Sequence, residues 1–349
     1  MTSRLIVLIA IIAFSNSLLA QVPKPGPKQA ESILLVGGVA HLGNGEVIEN
    51  SAIAFDNGKL VLVADAQTIK IDKNKYQRVI EINGKHVYPG FIAPNSTLGI
   101  TEIDAVRATR DYREVGMFKP HVRSLIAYST DSKVATTVRT NGILLAQITP
   151  RGGRIAGASS IVQLDAWNWE DAVISQDDGI HLNWPKMYQR GGWWAEPGGS
   201  NKNDKLSEQI LETRQFFEEA KAYSELENHR ELNIRYEAMR GLWDGTKTLF
   251  VNADYVKDIT KAVLFCKELK IKKVVLIGGY DAWMVTDMLK ENNIAVMLMR
   301  THSLPKRPGD DLDLPYKLPA LLQAAGVEFC LQNAGDMEAM NTRNLPFLA

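Results

Sequence analysis

Two patterns of apolar and polar residues divide this chain of 349 residues. In the first part, short apolar runs alternate with turn residues, and the runs lie at 33–36, 47–55, 60–63 and 79–82. The turns between them include Asn-Gly at 44–45 and at 57–58, a dipeptide that favours tight β-hairpins. We therefore predict a small β-sandwich at residues 21–88.

Beyond that region, apolar strands alternate with longer helical patterns. Strands are predicted at 142–148, 158–164, 248–252, 273–277, 294–299 and 327–331. Helices are predicted at 132–140, 255–269, 281–290 and 318–325, with one long helix or a bent pair at 205–240 and a long loop at 184–203. This alternation favours a parallel sheet, and after a β-sandwich it favours an α/β fold with a TIM-like (β/α)8 barrel at 89–349. The last predicted strand lies close to Ala349, so we expect the barrel to be truncated.

The N-terminus has the pattern of a secretory signal peptide. Arg4 precedes an apolar run at 5–14, and small or apolar residues follow up to Ala20. We expect residues 1–20 to be removed, which leaves a periplasmic or secreted protein with no membrane span. A proline-containing linker would follow at 21–29.

Charge and cysteine content limit the partners and the chemistry. The 40 basic residues balance the 40 acidic ones, so nothing favours nucleic acid as a partner. Cys266 and Cys330 both lie in apolar runs, which predicts buried free thiols, although an oxidising compartment would permit a disulfide.

The two regions meet in the run Pro89-Gly90-Phe91-Ile92-Ala93-Pro94-Asn95-Ser96-Thr97. This run resembles the barrel entry of the amidohydrolase superfamily, whose members read Pro-Gly-Phe-Ile-Asp-x-His-x-His there. The branch it resembles is the imidazolonepropionase-like one. The resemblance implies a hydrolase that acts on carbon–nitrogen bonds other than peptide bonds. It also implies zinc or another divalent metal at the barrel mouth.

The residues that the resemblance assigns to the metal are substituted. Asn95 and Thr97 stand where the family has its two first-strand histidines, and Ala93 stands for the aspartate. Local motifs place the later ligands at Asn252, at Gly278 or Gly279, and at Asn333. Neutral amide and hydroxyl oxygens hold a catalytic zinc poorly. We therefore predict no metal and no other cofactor, and a lost metal-dependent mechanism.

Other residues are candidates for a rebuilt site. His302, Arg300 and Asp336 follow late barrel strands, and we take them as candidate catalytic residues. The remaining histidines lie far apart in the sequence, without a ligand pair at helical or strand spacing. Candidate pocket residues are Arg151 and Arg154 in a glycine loop and Trp167 and Trp169 in an aromatic run. The charges at 107–113 could face the mouth or simply face solvent.

Three functions stay open at this point. The first is a hydrolase of carbon–nitrogen bonds with a rebuilt site. The second is a pseudoenzyme, a barrel that binds a small-molecule ligand without turnover. The third is a non-catalytic subunit that assembles with a related barrel, with the Trp167–Trp169 run at the contact.

Overall fold

The structure is a computed structural model that describes residues 24–192, 196–226, 231–335 and 337–348. The predicted signal peptide at 1–20 lies outside the described residues. Two sheets account for most of the described strands, one N-terminal and one that forms the barrel.

The N-terminal region forms one five-stranded sheet. Its strands are β1 (Ile33–His41), β2 (Val47–Asp56), β3 (Lys59–Asp65), β4 (Arg78–Glu81) and β5 (His86–Val87). Their order is β3-β2-β1-β4, with β5 beside β1. Asn57 and Gly58 have φ of 48° and 73°, as a tight hairpin between β2 and β3 requires. The Asn-Gly prediction is confirmed there, whereas the second layer of a sandwich stays a prediction.

The barrel sheet has eight strands in the order β15-β14-β13-β12-β9-β8-β7-β6. They are β6 (Phe91–Ser96), β7 (Ile143–Ile148), β8 (Ile155–Gln163), β9 (Val173–Asn183), β12 (Thr248–Ala253), β13 (Val274–Gly278), β14 (Ala295–Leu298) and β15 (Phe329–Leu331). The α/β class and the barrel are confirmed, and the sheet is almost closed. Across the open side, the Asn95 Nδ2 atom donates a 2.7 Å hydrogen bond to Gln332 Oε1, which joins the first strand to the residue after the last.

The predicted helices at 132–140 and 255–269 begin and end within one residue of their predicted positions. The α-helices of the described residues are α1 (Lys133–Arg139), α2 (Trp169–Ala172), α3 (Leu206–Ser224), α4 (Ile234–Glu237), α5 (Gly241–Asp244), α6 (Val256–Glu268), α7 (Thr286–Glu291), α8 (Leu314–Ala324), α9 (Glu338–Asn341) and α10 (Leu345–Leu348). The Ser132 side chain caps α1 by accepting a hydrogen bond from the Ala135 amide, which explains the start of that helix. No helix of the described residues is long and apolar enough to span a membrane.

One barrel strand runs against the predicted direction. β8 is antiparallel to both β7 and β9, while the other neighbouring pairs of this sheet are parallel. Only residues 149–154 connect β7 to β8, and a parallel crossover needs about a dozen residues or more. The sheet is therefore mixed, and the prediction of a fully parallel one is wrong at this strand.

Three other predictions need correction. The predicted loop at 184–203 contains a hairpin of β10 (Tyr188–Gly192) and β11 (Pro197–Lys202). Of the two alternatives at 205–240, the single long helix is wrong, because α3 ends at Ser224 and the separate short helix α4 follows it. Both cysteines are free, but only Cys266 is buried. Cys330 is exposed because β15 is the end strand of the described sheet.

Candidate functional site

A cavity of about 980 Å³ opens at the carboxyl ends of the barrel strands. Its lining includes Asn95, Thr97, Arg110, Arg151, Asn252 and Glu338. Asn95 and Asn252 lie near the ends of β6 and β12, and Arg151 lies in the connection after β7. This is the face on which barrel enzymes carry their sites, so the cavity is the candidate functional site.

Arg151 lies at the centre of the polar contacts in this cavity. Its Nη1 donates to Asn95 Oδ1 over 2.7 Å, and its Nη2 donates to the Asn95 carbonyl oxygen over 2.7 Å. The same Nη2 donates to Glu338 Oε1 over 2.9 Å. The Arg151 backbone N–H also donates to the Tyr112 carbonyl oxygen over 2.7 Å, which fixes the loop. One guanidinium thus links β6, the loop after β7 and α9.

Asn95 has both ends of its side-chain amide in use. The oxygen accepts from Arg151, and the nitrogen donates to Gln332. The residue has a φ of 49°, a left-handed conformation that asparagine adopts more readily than most residues. Its backbone N–H donates to Gln147 Oε1 over 3.0 Å. These contacts fix the amide in one orientation and direct its oxygen towards a cation that belongs to the protein.

The residues present do not fit a divalent metal of the kind that the family resemblance implies. The Asn95 oxygen is bonded to a guanidinium, and Gly278 offers no side chain. The Asn333 Nδ2 atom donates to the Asn341 carbonyl, so this amide is engaged away from the cavity lining. Among the described residues, no group of three or more His, Cys, Asp or Glu side chains could hold a metal ion. The nearby positive charge of Arg151 would also oppose a second cation.

A second arginine lines the cavity without an acidic partner. Arg110 Nη1 lies 3.5 Å from the Tyr112 hydroxyl, and no ion pair joins Arg110 to any described residue. Its Nε is buried and has no hydrogen-bond partner among the described residues. The same is true of Thr97 Oγ1, although Thr97 is only 2 % exposed. Buried polar atoms are rarely left without partners, so the lining of the cavity has unused hydrogen-bonding capacity at these two residues.

A polar network of largely buried side chains joins the neighbouring barrel strands β7, β8 and β9. Gln147 Nε2 donates to Asp178 Oδ2 over 2.8 Å, and Ser159 Oγ donates to Asp178 Oδ1 over 2.7 Å. The Ser159 oxygen lies 2.9 Å from His181 Nε2. Because Gln147 Oε1 also accepts from the Asn95 backbone N–H, this network reaches the cavity lining.

Burial sets the charge states of this network. Loss of water raises the pKa of Asp178, although hydrogen bonds from Ser159 and Gln147 oppose the shift. Complete burial holds the pKa of His181 well below its usual value, and the positive charge of Arg151 adds to the effect. The imidazole is therefore neutral at pH 7, packed on the Phe250 ring with 4.7 Å between centroids. The geometry is not that of a nucleophile relay, because the carboxylate contacts the serine and not the histidine.

Of the three candidate catalytic residues, the two that the structure describes, His302 and Arg300, are not in the cavity lining. His302 is exposed, and its ring packs edge-on against Tyr316 with 5.5 Å between centroids. Arg300 Nη2 donates to the Asn333 carbonyl over 3.0 Å and lies beside Gly335, which lines the cavity. Asp336 lies outside the described residues. Their catalytic role stays a prediction.

Of the four pocket candidates, only Arg151 lines this cavity. Arg154 is buried and donates to the Asn183 carbonyl over 3.0 Å, and burial lowers its pKa. Trp167 is exposed, and its backbone accepts from Thr130. Trp169 is partly buried and packs against a hydrophobic cluster that includes Leu164 and Ala172. Arg154 therefore contacts a cavity-lining residue without lining the cavity itself, and Trp167 and Trp169 are not in the lining.

Some contributing residues were missed in the sequence. Glu338 and Gln332 follow the last strand, and nothing in their local sequence marks them as partners of Arg151 and Asn95. In the N-terminal sheet, the His41 Nε2 and His86 Nδ1 atoms lie 2.9 Å apart because β1 and β5 pair in parallel. This histidine pair lies outside the cavity lining but is relevant to any test for metal.

No protein-family model matches the chain, and no curated protein matches it in sequence. Among solved structures, the chain is similar to an amidohydrolase from Thermotoga maritima MSB8, with a TM-score of 0.72 and 17 % identity over 88 % of this chain and 80 % of that chain. The A. niger ochratoxinase gives a TM-score of 0.39 at 14 % identity over 87 % of this chain and 76 % of that one. A molinate hydrolase gives 0.43 at 14 % identity over 87 % and 73 %. The first similarity carries the conclusion that this chain has the fold of an amidohydrolase.

Proposed function

We propose that this protein is an amidohydrolase-like barrel that binds a small molecule at its mouth and has lost metal-dependent hydrolysis. The observation that carries the proposal is the contact between Arg151 and Asn95, over 2.7 Å at both oxygens of the asparagine. Asn95 is the position that the family resemblance assigns to the first metal ligand. A guanidinium now takes up its side-chain oxygen.

The cavity itself supports ligand binding. A volume of about 980 Å³ at the carboxyl ends of the strands is at the upper end of the range for small-molecule sites. Apolar residues such as Pro150 and Met337 share the lining with Thr97, Arg110 and Asn252. A mixed lining of this kind suits a ligand with an apolar body and a few polar groups. Secretion and the imidazolonepropionase-like branch belong to the same proposal, on the support of the sequence patterns at 1–20 and 83–97.

A second candidate is hydrolysis of a carbon–nitrogen bond without the family's metal. The shared fold with a solved amidohydrolase favours it, because that fold offers a mouth suited to the chemistry. The residues available for it would be His302, Arg300 and Asp336. This second candidate requires that the metal-free protein turns over a substrate, whereas the first candidate requires only ligand binding.

Metal content tests the proposal directly. The purified full-length chain would be incubated in turn with zinc, manganese and iron salts, dialysed, and measured by elemental analysis. We expect less than about 0.1 ion per chain at the mouth. The variant His41→Ala/His86→Ala is the control, because it removes the histidine pair of the N-terminal sheet. A stoichiometric ion that this variant retains would refute the proposal.

A further inference from the structure

We infer that the ligand of the mouth cavity carries a carboxylate, and that Arg110 binds it with the help of Thr97. The inference rests on the proposed ligand-binding function and names the class of ligand. Arg151 is the less suitable group for the carboxylate, because its charge is already paired with Glu338 and three of its five N–H groups bond Asn95 and Glu338. Its part is to hold the cavity wall in shape.

The first argument is the unbalanced charge of Arg110. The side chain is partly buried and lines the cavity, yet no ion pair joins it to a described residue. The Tyr112 hydroxyl at 3.5 Å is a weak neutral contact. A partly buried cation without a counterion is costly to the folded state. An anionic ligand in the cavity would offset that cost.

The second argument is independent of charge. Thr97 is 2 % exposed, lines the same cavity and leaves its hydroxyl without a partner among the described residues. A buried hydroxyl normally has at least one hydrogen bond. Together with the unused Nε–H of Arg110, it makes two buried donors in the residues that line one cavity. Carboxylate oxygens are acceptors only, and a guanidinium can hold both of them at once.

The acids of the lining do not remove this preference. Glu338 is bonded to Arg151 over 2.9 Å, so that pair is neutral as a unit. Asp104 also lines the cavity and has an interaction of its own, but it forms no ion pair with Arg110. Arg110 is therefore the cation through which the cavity would distinguish an acid from its neutral analogue.

The experiment compares hexanoate with hexanamide, which share an apolar body and differ in charge. Isothermal titration calorimetry of the full-length chain at pH 7 measures both. We expect hexanoate to bind at least about tenfold more tightly, the difference that a charged hydrogen bond supplies. Arg110→Gln should bring the two affinities to within about twofold. Arg107→Gln, an exposed arginine three residues earlier, should keep the preference.

The comparison requires that the Arg110→Gln protein is folded, so circular dichroism and thermal unfolding are measured for it. Arg110→Lys serves as a second variant, which keeps the charge. Equal affinity for acid and amide would overturn the inference. So would an unchanged preference in Arg110→Gln, or heat from neither ligand. Retention of a mouth metal is a separate result and would overturn the proposed function instead.

Discussion

Arg151 binds Asn95 through two parallel hydrogen bonds of 2.7 Å each, one to the side-chain oxygen and one to the backbone carbonyl. The pair fixes both partners, because each bond constrains the orientation of the planar guanidinium. With Glu338 as a third partner, the cation bridges segments that are far apart in the sequence. The positive charge of Arg151 at the barrel mouth is thus held in a fixed position by its hydrogen bonds to Asn95 and Glu338.

This contact predicts a large stability effect for Arg151→Met. The substitution would leave Glu338 a buried carboxylate without its cation, and Asn95 without a donor at either oxygen. The Arg151 side chain is 24 % exposed, so we expect the free energy of unfolding to fall by about 2–3 kcal/mol, less than for a fully buried pair. Urea unfolding followed by circular dichroism measures it.

Arg214→Met is the matched control, because Arg214 pairs with Glu218 and Glu268 on the surface and should cost less than about 1 kcal/mol. In the double variant Arg151→Met/Glu338→Gln, part of the loss should be recovered, since the unpaired charge is gone. A loss below about 1 kcal/mol in Arg151→Met would contradict the bridging role.

Asp178 makes stability depend on pH. Burial raises its pKa above the usual value of 3.8, so the folded state holds this proton to a higher pH than the unfolded chain does. Its contribution is fully present below pH 3.8 and is lost as the pH rises through the raised value. Asp178→Asn removes this loss, so the variant should gain stability relative to the parent as the pH rises.

The asparagine at this position would keep its hydrogen bonds. Its oxygen would accept from Gln147, and its nitrogen would donate to Ser159, whose own proton would turn to His181. Urea unfolding from pH 4 to pH 8 measures the difference between the two proteins. Asp287→Asn, at a side chain 89 % exposed, should show no such trend. Parallel pH profiles for parent and Asp178→Asn would show that the carboxyl does not contribute.

Gly157 predicts a backbone requirement in β8. Its φ is 137°, and an added Cβ would lie 2.4 Å from the Val122 carbonyl oxygen. Gly157→Ala should therefore lower the free energy of unfolding by about 3 kcal/mol through strain and overpacking. Gly199→Ala in β11, where nothing lies within 4 Å, should stay within about 0.5 kcal/mol. Similar melting temperatures for the two variants would argue against a tight contact at β8.

His302→Ala separates the two candidate functions. Its ring is exposed and contacts Tyr316, so we expect a stability change within about 0.5 kcal/mol and an unchanged affinity for hexanoate. If the metal-free chain hydrolyses amides, loss of that turnover in His302→Ala would support a rebuilt active site. Assays of both properties on one preparation make the comparison direct.

The sequence predicted elements whose signals are local. The start of the barrel after Pro89-Gly90 and the capped helix after Ser132 were both placed within a residue or two. Strand β9 was missed because its middle carries Ser175, Gln176, Asp177 and Asp178, which obscure the apolar pattern. Asp178 belongs to the polar network that joins β7, β8 and β9. The polar residues that form this network are therefore the ones that obscured the strand in the sequence.

The cavity could be predicted only in part. Asn95, Thr97, Asn252 and Arg151 were identified from motifs, and the structure brings all four to one cavity. The contact of Arg151 with Glu338 spans 187 positions, and no local pattern reports such a pairing. The antiparallel direction of β8 likewise follows from the short connection between β7 and β8. The alternation of strands and helices gives no information on the length of that connection.

Arg151 also determines the order in which laboratory evolution would have to rebuild a metal centre. A histidine restored at position 95 alone would meet the guanidinium, and an incoming divalent ion would stand beside a fixed like charge. If Arg151 were removed first, the Glu338 carboxylate would be left without its counterion. Each single-step route back passes through an unstable or repulsive intermediate, so the exchange of ion for arginine behaves as a ratchet.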